Sequence, residues 1–154
     1  MIHVPDAVAA RFAAEGERTY PAECCGVLLG RLEPGATEGC DRRYASAILP
    51  VDNARTDRAG DRFVITPEAY LKAEAAADAQ GLELLGFYHS HPDDQARPSD
   101  YDRDHAWPNL SYIVMAVQGQ GDGTGRTTGW ASWELAADRS AFRPEPLIEG
   151  GLHG

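Results

Sequence analysis

Apolar and polar positions along the chain predict a series of strands interrupted by a few helices. Apolar or alternating runs, bounded by glycine, proline or polar clusters, predict strands at residues 24–31, 44–51, 82–91, 112–117 and 127–135. A first helix is predicted from Asp6, as its capping residue, to about Glu15, with Gly16 ending it. This order of elements predicts an α+β fold in which helices pack on a mixed β-sheet.

The second predicted helix has the clearest boundaries. Thr66 is a suitable N-cap, Pro67 occupies the first helical position, and Gly81 follows the end. Ala73 and Ala77 share helical spacing and are predicted to lie on its buried face. The helix therefore precedes the strand at 82–91 and is expected to pack against the sheet.

The chain length predicts a single domain over residues 1–154 with its core at about 4–135. The glycine-rich segment 118–126 lacks the ending of a phosphate-binding loop, so it is predicted to be a hairpin connection. Residues 53–62 are predicted to form a polar loop. The tail at 140–154 contains prolines and glycines and is predicted to be flexible.

Composition narrows the possible partners and the compartment. A net charge of −10 argues against binding to nucleic acid or to an anionic membrane. No apolar run is long enough to span a membrane, and the N-terminus does not resemble a signal peptide. The three cysteines Cys24, Cys25 and Cys40 do not form a disulfide pattern, so reduced thiols in a cytoplasmic protein are expected. The sequence indicates no oligomeric state.

Candidate metal ligands follow the strand predicted at 82–91. His89 and His91 lie two residues apart, so in an extended chain they point to one face with Cα atoms roughly 6–7 Å apart. Two imidazoles can then converge on one ion, and Asp102 lies after a loop that could return it to the same place. Two histidines and one carboxylate leave a fourth tetrahedral position open, as in catalytic zinc sites.

Simpler interpretations exist for both parts of this pattern. Two histidines at a strand end are often only a solvated edge. Ser99 and Asp102 also have the spacing of a capping box, with Ser99 as the N-cap of a short helix. The two roles are compatible, because Ser99 can cap the helix while Asp102 faces a metal.

The histidine segment His-Ser-His-Pro at 89–92, followed by Ser99 and Asp102, resembles the signature of the JAMM (MPN-type) zinc metalloproteases. That family has a catalytic glutamate on an early strand, and the segment Tyr-Pro-Ala-Glu-Cys-Cys-Gly at 20–26 is similar, which makes Glu23 the match. The resemblance covers about residues 4–135 and implies a cytidine-deaminase-like fold. The Glu-Cys-Cys-Gly segment looks most like bacterial members, which are implicated in cutting adducts from the C-termini of ubiquitin-like sulfur-carrier proteins.

The resemblance implies a role for each matched residue. Zn²⁺ would be held by His89, His91 and Asp102, and would activate a water molecule. Glu23 would act as general base and then general acid, and Ser99 would donate to the oxyanion. The expected substrate is a ubiquitin-like sulfur-carrier protein or its C-terminal adduct.

Four alternatives remain at this point. The protein could be a zinc hydrolase of a small amide, or a non-catalytic MPN-type scaffold, although a scaffold would be expected to lack a ligand or the glutamate. Cys25 could be a nucleophile if it shares a face with Glu23, and His105 could support the metal ligands. A nucleobase deaminase is excluded, because its His-x-Glu and Pro-Cys-x-x-Cys motifs are absent.

Overall fold

The computed structural model describes residues 1–37, 40–51, 66–104 and 106–150. These residues form the following elements in chain order: β1 (Ile2–Val4), α1 (Asp6–Thr19), β2 (Cys25–Glu33), β3 (Arg42–Val51), α2 (Pro67–Ala79), β4 (Glu83–Pro92), α3 (Asp100–Asp104), β5 (Ser111–Gly119), β6 (Gly125–Leu135), β7 (Phe142–Pro144) and β8 (Leu147–Glu149). The predicted polar loop at 53–62 lies outside the described residues. No helix in the described ranges is long and apolar enough to cross a membrane.

The strands form one mixed sheet in the order β7-β6-β5-β4-β2-β3-β1-β8. β4 pairs with β5 in parallel and with β2 in antiparallel orientation. Helix α1 contributes Val8 and Phe12 to the core on one face, and helix α2 contributes Ala73 and Ala77 to the core on the other. The predicted α+β fold with helices on a mixed sheet is therefore confirmed, and β4 lies near the middle of the sheet, covered on both faces.

Helix α1 differs from its predicted boundaries at both ends. It begins after Pro5, whose side chain makes no capping bond, and Asp6 lies in the first turn rather than at the cap. It also continues through Gly16 to Thr19. A Cβ atom at position 16 would lie 3.0 Å from Cγ2 of Val117, so this glycine allows the helix to approach β5 closely instead of ending it.

Helix α2 confirms the prediction made from its terminal residues. The Thr66 hydroxyl accepts a hydrogen bond from the backbone N–H of Ala69 at 3.1 Å. Ala73 and Ala77 are buried, and Gly81 follows the helix with a φ of 68°. Ala73 and Ala77 therefore lie on the side of the helix that packs on the sheet.

The tail that was predicted to be flexible carries two further strands. β7 pairs with β6, and β8 pairs with β1. Between them, the carboxylate of Glu145 is buried and lies 2.9 Å from Nη1 of Arg43. The hydroxyls of Ser111 and Ser132 donate to the other oxygen of Glu145 at 2.6 and 2.8 Å. This buried ionic group attaches the tail to the sheet, and the expectation of a frayed tail does not hold for Phe142–Glu149.

The glycine-rich segment at 118–126 is the predicted hairpin connection. β5 and β6 pair in antiparallel orientation up to Gly119 and Gly125. Gly121 and Gly123 have φ values of 86° and 90°, a region that glycine adopts without strain. The segment therefore serves as a turn, as expected from the missing phosphate-loop ending.

Candidate metal centre

The end of β4 brings the two predicted histidine ligands together. His89 and His91 point to the same face of the strand, and their Nε2 atoms lie 3.1 Å apart. Both side chains are buried, with 1% and 8% of the residue surface exposed, and β4 lies between β2 and β5 in the sheet. A buried pair of imidazoles is unlike the solvated strand edge considered as the simpler interpretation.

Asp102 reaches the same point from helix α3. The backbone N–H of Asp102 donates to the Ser99 hydroxyl at 3.0 Å, and the Ser99 N–H donates to Oδ2 of Asp102 at 2.8 Å. These reciprocal bonds form the predicted capping box. The same Oδ2 lies 3.2 Å from Nε2 of His89 and 3.2 Å from Nε2 of His91. Asp102 therefore takes part in the capping box and approaches both histidines at the same time.

The three converging atoms have the spacing of a metal-binding triangle. Their separations are 3.1, 3.2 and 3.2 Å. A tetrahedral ion with nitrogen and oxygen ligands at about 2.0–2.1 Å separates neighbouring ligand atoms by about 3.3–3.4 Å. The residues present therefore fit a metal ion with three protein ligands and one further position.

The backbone helps to orient His91 for this task. Its Nδ1 atom lies 3.0 Å from the carbonyl oxygen of Gln95. A carbonyl only accepts hydrogen bonds, so Nδ1 carries the proton and, in the neutral ring, Nε2 presents a lone pair to the triangle. Metal-bound histidines usually have such a partner on the other ring nitrogen.

The charges in the triangle also suit a cation. Burial acts to raise the pKa of Asp102, but its attraction to the His89 ring when that ring is protonated, and its contacts with both imidazoles, outweigh burial and hold this pKa well below its usual range. Burial lowers the pKa of His89 below its usual range despite the neighbouring carboxylate. Burial also acts to lower the pKa of His91, but its hydrogen bond to Asp102 and the charge of that group outweigh burial and raise it. An ionised carboxylate and a neutral His89 are the forms that bind metals, and a metal would compete with a proton for His91.

Glu23 lies beside this triangle, immediately before β2. It is 4% exposed, and one of its carboxylate oxygens lies within 4.8 Å of a ring nitrogen of both histidines. The antiparallel pairing of β2 with β4 explains this position, because Cys25 lies opposite His89. The predicted catalytic glutamate is thus brought to the two predicted histidine ligands.

Ser90 connects the glutamate segment to the histidine strand. The backbone N–H of Cys24 donates to the Ser90 hydroxyl at 2.8 Å, and the Ser90 N–H donates to the Cys24 carbonyl at 3.1 Å. No role for Ser90 was predicted from the sequence. The sequence did contain a signal for such a role. Ser90 is a small polar residue in an apolar strand, and it lies between two ligands and points to the opposite face.

A second connection joins the segment before Glu23 to the loop after His91. The Tyr20 hydroxyl donates to one oxygen of Asp93 at 2.5 Å, and the Gly119 N–H donates to the other at 2.7 Å. A Cβ at Gly119 would lie 2.1 Å from the Tyr20 hydroxyl oxygen, so only glycine leaves room for the ring. Nothing in the sequence pattern indicated that these three distant residues meet.

Cys25, the alternative nucleophile, is hydrogen-bonded to the backbone of β3. The Cys25 thiol donates to the carbonyl of Val51 at 3.2 Å and packs in the core under α2, an arrangement that gives no support to a nucleophile. Cys24 lies in the core cluster of the opposite face, where burial raises the pKa of its thiol to about 11. All three cysteines are free. His105 lies outside the described residues.

Comparison with known proteins agrees with this geometry. A family model described as prokaryotic homologs of the JAB domain matches residues 5–136. The desampylase of Haloferax volcanii is 34% identical over 112 residues, which cover 72% of this chain and 73% of that protein. A probable TtuB-protein conjugate cleaving protease of Thermus thermophilus is 29% identical over 119 residues, covering 77% and 72%. The crystal structure of AF2198, a JAB1/MPN domain protein of Archaeoglobus fulgidus, superposes with a TM-score of 0.52 at 16% identity, covering 97% and 98% of the two chains.

Proposed function

Because this chain belongs to the family of prokaryotic homologs of the JAB domain, we propose that it is a zinc-dependent peptidase acting at the C-terminus of ubiquitin-like sulfur-carrier proteins. The peptidase class expected from the resemblance is confirmed by the relatives, one of which is named a conjugate cleaving protease. The observation that carries the proposal is the triangle of His89, His91 and Asp102 with Glu23 beside it.

The ligand set supports zinc. His89, His91 and Asp102 would hold the ion through two nitrogens and one oxygen, a donor set that zinc takes in catalytic sites with one position left open. Bound there, zinc would lower the pKa of a water molecule toward neutrality and polarise the carbonyl of the scissile amide. Because all three ligands are buried, that chemistry would occur in a site largely shielded from bulk water.

Glu23 is proposed as the group that moves the proton. One of its carboxylate oxygens lies within 4.8 Å of a ring nitrogen of both histidines, while Asp102 supplies the third ligand at 3.2 Å from each, so Glu23 is assigned to proton transfer beside the ligands. From this position it accepts a proton from the attacking water and returns it to the leaving amine. The hydrogen bonds between Cys24 and Ser90 hold the backbone next to it during both transfers.

Ser99 is proposed as the donor to the oxyanion. Its oxygen accepts a hydrogen bond from the Asp102 N–H, which uses one of its lone pairs. The hydroxyl hydrogen remains available, because a serine hydroxyl can accept and donate at the same time. The capping role therefore fixes the oxygen next to the ligand Asp102 while the hydrogen is directed to the tetrahedral intermediate.

The proposal can be tested by intact-mass spectrometry on a ubiquitin-like sulfur carrier with one extra C-terminal residue. The zinc-loaded protein is expected to remove that residue after the terminal glycine. Glu23→Gln should retain the fold and the zinc but lose about 10²–10⁴-fold in rate, because a neutral amide accepts no proton. Glu74→Gln, at an exposed position on α2, is the matched control and should keep full activity.

Zinc content of each protein should be measured in the same samples by native mass spectrometry. A zinc-loaded wild type that leaves every carrier substrate intact would contradict the proposed function. Full activity of Glu23→Gln would remove the proposed role of that carboxylate while leaving the peptidase activity itself established.

A further inference from the structure

A small pocket adjoins Ser99. It has a volume of about 170 Å³ and lies between the segment preceding α3 and strands β6 and β7. Its lining includes the polar residues Arg97, Ser99, Asp100 and Arg103 and the aromatic residues Trp133 and Phe142. The pocket is therefore part apolar and part charged, and Ser99 belongs both to it and to the candidate metal centre.

The sheet register places this pocket on the same face as the metal ligands. Phe87 lies opposite Tyr112, and Tyr112 lies opposite Trp133, so these three side chains form one row across β4, β5 and β6. His89 follows Phe87 by two residues and therefore shares its face. The Trp133 indole N–H donates to the carbonyl of Ala96 at 3.2 Å, which ties the loop between the ligands to the lining of the pocket.

The charge of the pocket is unusual for this protein. The whole chain carries a net charge of −10, yet two arginines and only one carboxylate, that of Asp100, line this small volume. Arg103 lies 3.9 Å from Asp100 and 3.5 Å from Asp104, so its charge is partly balanced. Arg97 lies over the Trp133 ring, 5.8 Å from its centroid, and no carboxylate among the described residues lies within ion-pair distance of it.

We infer that this pocket binds the residue on the leaving side of the scissile bond, and that Arg97 recognises the free α-carboxylate of that residue. The inference rests on the proposed function, in which Ser99 contacts the oxygen of the scissile carbonyl. The residue that follows that carbonyl extends from Ser99, where the pocket begins. A guanidinium binds a carboxylate through two parallel hydrogen bonds, and the indole beneath Arg97 limits its movement.

The size of the pocket selects the kind of leaving group. Pockets for drug-sized ligands occupy about 300–1,000 Å³, and this one is smaller. It has room for one residue whose side chain packs on Trp133 and Phe142. A single amino acid attached after the terminal glycine carries a free α-carboxylate next to the scissile bond. A lysine in an isopeptide-linked protein does not, because its α-carboxyl group is part of the backbone.

The test compares three substrates built on one carrier protein. The first has one extra C-terminal alanine as the free acid, the second has the same alanine as its amide, and the third is joined to the side-chain amine of a lysine blocked at both ends. The free acid is expected to have a kcat/KM about 10–100-fold higher than the other two, the range of a charge-assisted hydrogen bond. Arg97→Gln should remove this preference by slowing the free acid alone.

Arg126→Gln, at an exposed position on β6, has the same change in net charge and should keep the preference. Equal cleavage of all three substrates by the wild type would overturn the inference and leave the peptidase function intact. A preference that survives Arg97→Gln would also overturn it. If the zinc-loaded wild type cleaves none of the three, the proposed function fails and the inference fails with it.

Discussion

Replacement of Ser90 by alanine tests whether the histidine strand positions Glu23. The Ser90 side chain is completely buried, and its hydroxyl accepts the N–H of Cys24 at 2.8 Å. The substitution removes this acceptor but keeps the bond from the Ser90 N–H to the Cys24 carbonyl, which is a backbone bond. The Cys24 N–H is then left buried without its partner. Of the two hydrogen bonds that join Cys24, next to Glu23, to Ser90, only the backbone bond remains.

The expected cost follows from that single lost acceptor. An unsatisfied buried N–H destabilises a fold by about 1–3 kcal/mol. A displacement of Glu23 by about 1 Å is enough to lower a rate about 10²-fold, so kcat should fall by about 10–100-fold. The zinc affinity should not change, because His89 and His91 lie on the other face of β4 and their partners remain in place.

Three measurements on the same samples check this reasoning: urea denaturation, zinc content and the rate of carrier cleavage. Ser46→Ala is the matched control, because Ser46 is an exposed serine of strand β3. This substitution should leave stability, zinc content and cleavage rate unchanged. A Ser90→Ala protein with wild-type stability and kcat would refute the argument. So would a variant that loses zinc in proportion to its rate, because Ser90 would then act on the ligands and not on Glu23.

Three further outcomes are expected. Glu145→Ala should destabilise the fold to urea by about 1–3 kcal/mol, because the buried hydroxyls of Ser111 and Ser132 lose their acceptor while Arg43 loses one carboxylate partner but keeps that of Glu134 at 3.2 Å. The exposed Glu149→Ala should have little effect, and equal effects of the two substitutions would refute this role of the buried group. At pH 8, alkylation followed by mass spectrometry should label the exposed Cys40 long before the buried Cys24. The pKa of about 11 leaves Cys24 about a hundredfold less thiolate than a cysteine of ordinary pKa has at this pH. Rapid labelling of Cys24 would contradict its burial. A chelator should lower the melting temperature and added zinc should restore it, because bound zinc adds about 4 kcal/mol to the free energy of unfolding when free zinc exceeds its Kd 1,000-fold. An unchanged melting temperature would argue against a metal in the triangle.

Short-range features of this protein could be predicted from its sequence because they depend on neighbouring residues. Thr66 and Pro67 start a helix through local hydrogen bonding and a preset φ, and the structure has the helix there. Ser99 and Asp102 form a capping box for the same reason. The approach of His89 to His91 follows from the alternation of side chains along a strand.

Other features were predicted wrongly or not at all because their partners are distant in the chain. Gly16 was predicted to end helix α1, but the helix continues to Thr19. The glycine instead leaves room for β5, which approaches the helix at that point. Glu145 lies in a proline-rich tail, and only the folded sheet brings Arg43 to it across the chain. The connection from Tyr20 to Asp93 likewise joins two segments that have no common pattern.

The sequence by itself determined the class of fold through its pattern of apolar and polar positions, and it predicted His89, His91 and Asp102 as metal ligands, because residue type and spacing decide which donor atoms can face one point. Glu23 was predicted only through the resemblance to a known family. The tertiary structure decided that Oδ2 of Asp102 completes the triangle with the two histidines, that Ser90 holds the segment next to Glu23, and that two arginines border a pocket beside Ser99. These contacts depend on strand register and on the packing of loops from separate parts of the chain. Burial and charge at the site follow from that packing, and residue spacing alone does not specify them.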